Sequence, residues 1–149
     1  MVMTDETMPS DETQTAWCAL FRSHKIVLAE IESKLKTAQL PQLLWYDLLW
    51  QLEQASSCGV RAFELQPKLF LPQYGMSRLV DRIEAQGLIE KHECPEDGRG
   101  IALTITDKGR EVRKQMWAVY APAMQKALGA KLSKAEIVTL VQILGKLSA

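Results

Sequence analysis

Cysteine and histidine are scarce. Cys18, Cys58 and Cys94 are spread along 149 residues with no CxxC pair, and His24 and His92 are the two imidazoles. That excludes a disulfide framework and a conventional zinc site, and it fits free thiols in a reducing compartment. A chain of this length buries roughly 68–70% of its unfolded surface, so it needs neither device to fold. An excess of charge of either sign is also missing: 18 Lys+Arg stand against 18 Asp+Glu. Residues 61–114 carry ten basic and nine acidic side chains, +1, and the remainder carries eight and nine, −1. Bulk electrostatics therefore makes no case for a nucleic-acid partner, and such a case must rest on where particular cations point. No apolar run approaches the ~18 residues of a membrane span. Residues 1–13 show neither the charged nor the apolar region of a signal peptide, so the cytoplasm is the expected location. No HExxH, GxSxG, P-loop or dinucleotide fingerprint occurs, which leaves no enzyme class, cofactor or metal to expect.

The informative stretch runs from residue 72 to residue 109, PQYGMSRLVDRIEAQGLIEKHECPEDGRGIALTITDKG. Met76, Leu79, Val80 and Ile83 recur at i, i+3, i+4 and i+7 and predict a helix over 72–86. Pro72 suits its first turn and Gly87 the left-handed position just past its end. Gln73, Tyr74, Ser77, Arg78 and Arg82 fall largely off the apolar face, and they are residue types that reach base edges and phosphates. Leu88–Glu93, a turn over Pro95–Gly100, and alternating Ile101, Leu103 and Ile105 then predict a β-hairpin with Arg99 at its tip. Helix followed by hairpin is a winged helix-turn-helix layout.

The flanks read as helices. Residues 1–11 are polar and acidic and predict a disordered tail. A helix over about 12–36 carries a stripe of Trp17, Leu20, Phe21, His24, Leu28, Ile31 and Leu35, with Glu30 and Lys34 spaced for an i,i+4 ion pair. A second helix is expected from Pro41 to Ala55, with Leu44, Leu48, Leu49 and Leu52 inward and Trp45, Tyr46 and Trp50 beside them. Those three aromatics, with His24, are either packing residues or the wall of a pocket for a small apolar ligand. Val60–Leu65 reads as a short strand, and the first helix of the helix-turn-helix is placed at about 64–70. Thr106 or Asp107 caps a further helix, which Pro122 should kink or interrupt and Gly129 should end. Ser133–Glu136 has the form of a capping box before a last stripe of Ile137, Leu140, Val141, Leu144 and Leu147. The expected class is mainly α with a small β-hairpin wing. Residues 12–37 and 108–149 are assigned to a helical dimerisation region, and 38–107 to the winged helix-turn-helix.

Asp97-Gly98-Arg99, Leu103-Thr104 and Thr106-Asp107-Lys108-Gly109 resemble the wing signature of the multiple antibiotic resistance regulator (MarR) family. Ser77–Glu84, closing with Gly87-Leu88-Ile89, resembles that family's recognition helix and exit. The resemblance covers about 60–114. It implies a homodimeric repressor or activator that binds a pseudo-palindromic double-stranded DNA operator. It places Arg99 in the minor groove, Asp97 as the acidic support of the wing, and Gln73, Ser77 and Arg78 at major-groove and phosphate contacts. Two departures stand out: Gly98 and Gly100 flank Arg99, and Phe70-Leu71-Pro72 makes the turn before the recognition helix apolar.

The expected function is a dimeric DNA-binding repressor whose operator affinity is modulated by a small aromatic or apolar ligand near His24, Trp45, Tyr46 and Trp50. One alternative keeps the fold and uses Cys18, with Arg22 four residues on, as a thiol redox sensor. Another uses the winged helix to bind protein. Arg82 is open between a DNA contact and a salt bridge to Asp81, Glu84 or the wing.

Overall fold

The computed structural model describes residues 7–55, 58–69, 75–93 and 100–149. Its elements are α1 (Asp11–Thr37), α2 (Leu43–Gln54), β1 (Val60–Arg61), α3 (Ala62–Leu65), a 3-10 turn (Gln66–Lys68), α4 (Met76–Ala85), β2 (Ile89–Glu93), β3 (Ile101–Ile105), α5 (Asp107–Ala127), a second 3-10 turn (Gly129–Lys131) and α6 (Lys134–Leu147). The chain is mostly helical, with one three-stranded antiparallel sheet in the order β1-β3-β2. It divides into two compact units, Glu32–Ala123 and the described part of Met1–Ile31 with Met124–Ala149. The boundary thus falls inside α1 and α5. No described helix is long and apolar enough to cross a membrane.

The larger unit is built on one apolar cluster. Leu48, Leu49 and Leu52 of α2 meet Val60, Leu65 and Leu69, then Met76, Leu79, Val80 and Ile83 of α4, and Leu88, Ile89, Leu103 and Ile105 of the hairpin. The i, i+3, i+4, i+7 face expected for α4 is the face that is buried. The sheet differs from a simple two-stranded wing. Val60 and Arg61 pair with Leu103 and Ala102, so β3 is the central strand. Ala102 and Leu103 are both buried, at 2% and 1% exposure, whereas Ile101 is 48% exposed. A central strand has neighbours on both edges and cover on both faces, which overrides the alternation read from Ile101, Leu103 and Ile105. Ile101 pairs with Glu93 at the loop end of the hairpin, beyond the reach of the core.

Several boundaries move for identifiable reasons. Gln39 adopts φ 59°, the left-handed region. Its N–H bonds the Lys36 carbonyl, and the Leu40 N–H bonds the Leu35 carbonyl. That is a Schellman closure of α1 with glutamine where glycine is usual. Pro41 then lies in the connection, and α2 starts at Leu43, not at the proline. The Leu43 N–H donates to Glu32 Oε1 at 2.7 Å, so a side chain of α1 satisfies the first turn of α2. The strand expected over Val60–Leu65 is two residues long. The helix after it begins at Ala62, and Pro67, which lacks an N–H, falls where the α-helix tightens to a 3-10 turn. Pro122 does not interrupt α5. Pro122 and Ala118, whose carbonyl loses its partner, are both exposed, so water can serve that carbonyl. Glu30 reaches Lys131 at 3.6 Å rather than the expected Lys34. The capping box forms as expected: Ser133 Oγ accepts from the Glu136 N–H at 3.1 Å, and Glu136 Oε1 accepts from the Ser133 N–H at 2.9 Å.

Candidate nucleic-acid interface

Helix α4 is fixed at its C-terminus by two chain segments, Gly87–Leu88 and Thr106–Gly109. Gly87, at φ +74°, donates to the Glu84 carbonyl at 2.8 Å, and the Leu88 N–H donates to the Ile83 carbonyl at 3.3 Å. Thr106 Oγ1 donates to the Gly87 carbonyl at 2.7 Å and accepts from the Gly109 N–H at 3.0 Å, so one hydroxyl closes α4 and caps α5. Lys108 Nζ donates to the Gln86 carbonyl at 2.9 Å, a cation at the negative end of the helix. Gly109 passes so close to Leu88 that a Cβ would fall on the Leu88 carbonyl oxygen. The axis of α4 is therefore set by the hairpin and by the first turn of α5.

With its apolar face buried, α4 presents Ser77, Arg78, Asp81, Arg82 and Ala85 to solvent. Neither Arg78 nor Arg82 has an ion-pair partner among the described residues, so the salt bridge considered for Arg82 to Asp81 or Glu84 does not form. Those carboxylates turn to β2, where Lys91 Nζ lies 2.6 Å from Asp81 Oδ1 and 3.5 Å from Glu84 Oε1. The Lys91 ammonium is held above its ordinary pKa, chiefly by the hydrogen bond it donates to Asp81. Lys91 was not singled out by sequence reasoning. The available signal was the pairing of β2 beside α4, which composition does not reveal. Gln73, Tyr74, Asp97 and Arg99 lie outside the described residues, as do Phe70–Pro72 and Cys94.

The aromatics expected to line one pocket diverge. Trp45 is half-buried against the core and lines a crevice of about 570 Å³ with Gln42, Arg82, Gln86, Lys108 and Gln115. Tyr46 faces α5, with its ring centroid 5.9 Å from Trp117 and 5.2 Å from Tyr120. Burial, with the nearby Tyr46 and Asp47, pushes the Tyr120 phenol up. Trp50 packs under Arg113, whose guanidinium carbon is 5.0 Å from the ring centroid. His24 is exposed and belongs to the smaller unit. Cys18 and Cys58 are exposed free thiols. Among the described residues no cluster of His, Cys, Asp or Glu is placed to hold a metal ion.

The fold that carries this helix and hairpin has clear counterparts. A model of the MarR family matches residues 39–100. The crystal structure of Sco5413, a MarR family transcriptional regulator from Streptomyces coelicolor, superimposes with a TM-score of 0.79 at 27% identity, covering 93% of this chain and 94% of that one. Sco3205 of the same organism, crystallised in complex with DNA, gives a TM-score of 0.87 at 21% identity, covering 97% and 91%. BpsR of Bordetella bronchiseptica, whose DNA binding is regulated by 6-hydroxynicotinic acid, gives 0.81 at 20% identity, covering 95% and 98%. The matched segment contains α2 through β2, and the superpositions extend over the flanking helices. The chain shares its fold with MarR family transcription regulators, and its residues 39–100 match the model of that family.

Proposed function

We infer that this chain is a MarR family transcription regulator that acts as a homodimer on a pseudo-palindromic DNA operator, with α4 reading the major groove. The observation that carries this reading is the exposed edge of α4, where Ser77, Arg78 and Arg82 project from a helix fixed at its C-terminus. A guanidinium there can grip a guanine or a phosphate in two-toothed fashion. Gln73 and Tyr74 would extend that edge, and Arg99, supported by Asp97, would enter the minor groove. Such a dimer, making ~6–10 phosphate contacts, loses about 10³–10⁵ in affinity between 50 and 200 mM salt.

The partner copy is the economical cover for two apolar helices of the smaller unit. Trp17 and Phe21 of α1 are 63% and 56% exposed, and Val141 and Leu147 of α6 are 66% and 69% exposed. The operator affinity is modulated by a small aromatic ligand, as the regulation of BpsR by 6-hydroxynicotinic acid suggests. The crevice at Trp45 brings an indole and two cations, Arg82 and Lys108, together. Repression of transcription is the expected output.

Selection of bound duplexes from a random pool tests the DNA reading. The expected result is a two-fold site with half-sites about one helical turn apart. Recovery of no enriched sequence by the full chain would overturn it.

A further inference from the structure

The exposed half of α4 has two edges of opposite charge. Ser77, Asp81 and Glu84 follow one another at i, i+4 and i+7 along one edge. Arg78 and Arg82 lie on the neighbouring edge, about 100° around the helix. Over Met76–Ala85 the two arginines and two carboxylates cancel, 2 − 2 = 0. A neutral helix with acidic groups on its exposed face is poorly suited to a polyanion, because each unmasked carboxylate repels nearby phosphates.

The fold answers this from outside the helix. Lys91 on β2 places its ammonium against both carboxylates, at 2.6 Å and 3.5 Å, while its own side chain keeps 30% of its exposure. The acidic edge is therefore tied to β2 and half-neutralised, and the basic edge is left unpaired among the described residues. The same two contacts bridge α4 to the first strand of the hairpin. A sheet edge that packs on α4 through Ile83, Leu88 and Ile89 thus gains a polar link on its outer side.

We propose that Lys91 is a positioning residue for DNA recognition: it masks the Asp81–Glu84 edge of α4 and ties that helix to the hairpin, without itself contacting a phosphate. The proposal rests on the DNA-binding reading of α4. It makes Lys91 different in kind from Arg78 and Arg82, although all three are cations on one surface. A phosphate contact contributes released counterions, and its loss lowers the slope of log affinity against log salt by about one. A masking cation already paired within the protein releases none.

The experiment measures binding of the full chain to a duplex recovered by random-pool selection, across a salt series, by fluorescence anisotropy. The proteins are wild type, Lys91→Gln, Lys91→Arg, and Lys91→Gln with Asp81→Asn, which restores the wild-type charge. Lys91→Gln is expected to bind about five- to tenfold more weakly, the scale of one unmasked surface charge, with an unchanged salt slope. Lys91→Arg and the charge-restored double variant are expected within about threefold of wild type. Thermal unfolding of each variant separates a fold defect from a binding defect, and the double variant is informative even where the single one is less stable. Wild-type affinity in Lys91→Gln, or a slope lowered by about one with no recovery in the double variant, overturns the proposal. Failure of wild type to bind any selected duplex instead overturns the DNA reading on which it rests.

Discussion

Arg113 of α5 pairs with Glu53 of α2 through one edge of its guanidinium: Nε donates to Glu53 Oε2 and Nη2 donates to Glu53 Oε1 at 3.3 Å. The partners are 60 residues apart, and their side chains are only 12% and 17% exposed. Burial works against the Arg113 charge, but the hydrogen bond and charge of Glu53, with help from Tyr46, outweigh it and raise the guanidinium above its ordinary pKa. Trp50 closes the site from below. The pair bolts α5 onto α2.

Removing one partner leaves the other charge poorly solvated. Glu53→Ala is expected to destabilise the chain by about 1–3 kcal/mol, less than a fully buried pair because both groups retain some water. The double variant Glu53→Leu with Arg113→Met is expected to lose less than the sum of the single changes. Urea unfolding of wild type, Glu53→Leu, Arg113→Met and the double variant checks this. Strict additivity would show that the pair contributes no coupling.

Glycines at the α4–α5 junction differ in what confines them. A Cβ at Gly109 would strike the Leu88 carbonyl oxygen and Ile105 Cγ1, inside a backbone contact that has no room to yield. At Gly87 the space is open, the nearest atom being Lys108 Cδ at 3.9 Å, but φ is +74°. Gly87→Ala is expected to cost about 1–2 kcal/mol, the left-handed penalty alone. Gly109→Ala is expected to cost more, because the first turn of α5 must separate from Leu88. Reversal of that order in denaturant midpoints would remove the close approach from the account of how α4 is held.

The capping box of α6 carries a pH signature. Hydrogen bonds from the Ser133 backbone and side chain hold the Glu136 carboxyl below its ordinary pKa. A carboxylate depressed in the folded state contributes stability that is complete above its unfolded pKa and is lost as pH falls through its folded pKa. The difference in thermal midpoint between wild type and Glu136→Gln is therefore expected at neutral pH and should shrink toward zero in acid. A difference that is constant with pH would mean that packing, not charge, explains the effect of the substitution.

What could be read from the residues alone follows the range of the forces involved. The apolar face of α4, its Gly87 stop and the Ser133–Glu136 box are local patterns, and all three formed as expected. The central place of β3 was not legible, because it depends on a two-residue strand, Val60–Arg61, drawn from forty residues upstream. The start of α2 moved off Pro41 because glutamine at 39 took a left-handed conformation that glycine or asparagine would have signalled. Adjacent aromatics in α2 looked like one pocket wall, yet successive helical positions point about 100° apart, so Trp45 and Tyr46 serve different neighbours. Lys91 was invisible for the same reason as Arg113: each is defined by a partner on another element.

Two unpaired arginines on α4 make separable predictions. Arg78→Ala and Arg82→Ala should each lower the salt slope of binding by about one if both contact phosphate. If Arg78 reads a base instead, its loss should cost about 1–3 kcal/mol on the selected duplex and little on a random one. Arg82 also lines the crevice with Trp45 and Lys108, so Arg82→Ala should alter the quenching of tryptophan fluorescence by an aromatic carboxylate. Unaltered quenching together with an unaltered slope would assign Arg82 to neither role.

The exposed apolar faces bear on whether two copies act together. Trp17 and Phe21 sit with ring centroids 6.0 Å apart on α1, and Val138, Val141 and Leu147 line α6, all in the smaller unit. Exposed apolar surface of this kind marks an association face, because leaving it in water forfeits about 25 cal/mol for every Å² that a partner would cover. Val141→Glu places a charge within that face and should convert the assembly to single chains, with Trp17→Glu as an independent second site. Losing one of two DNA-reading units removes the effective-concentration gain, so affinity for a two-fold duplex should fall by about 10²–10⁴, while affinity for an isolated half-site stays unchanged. Sedimentation equilibrium supplies the mass, and anisotropy on the two duplexes supplies the affinities. A wild type that sediments as one chain at every concentration would overturn the dimer, and a Val141→Glu protein that keeps twofold mass would place the partner surface elsewhere on the molecule.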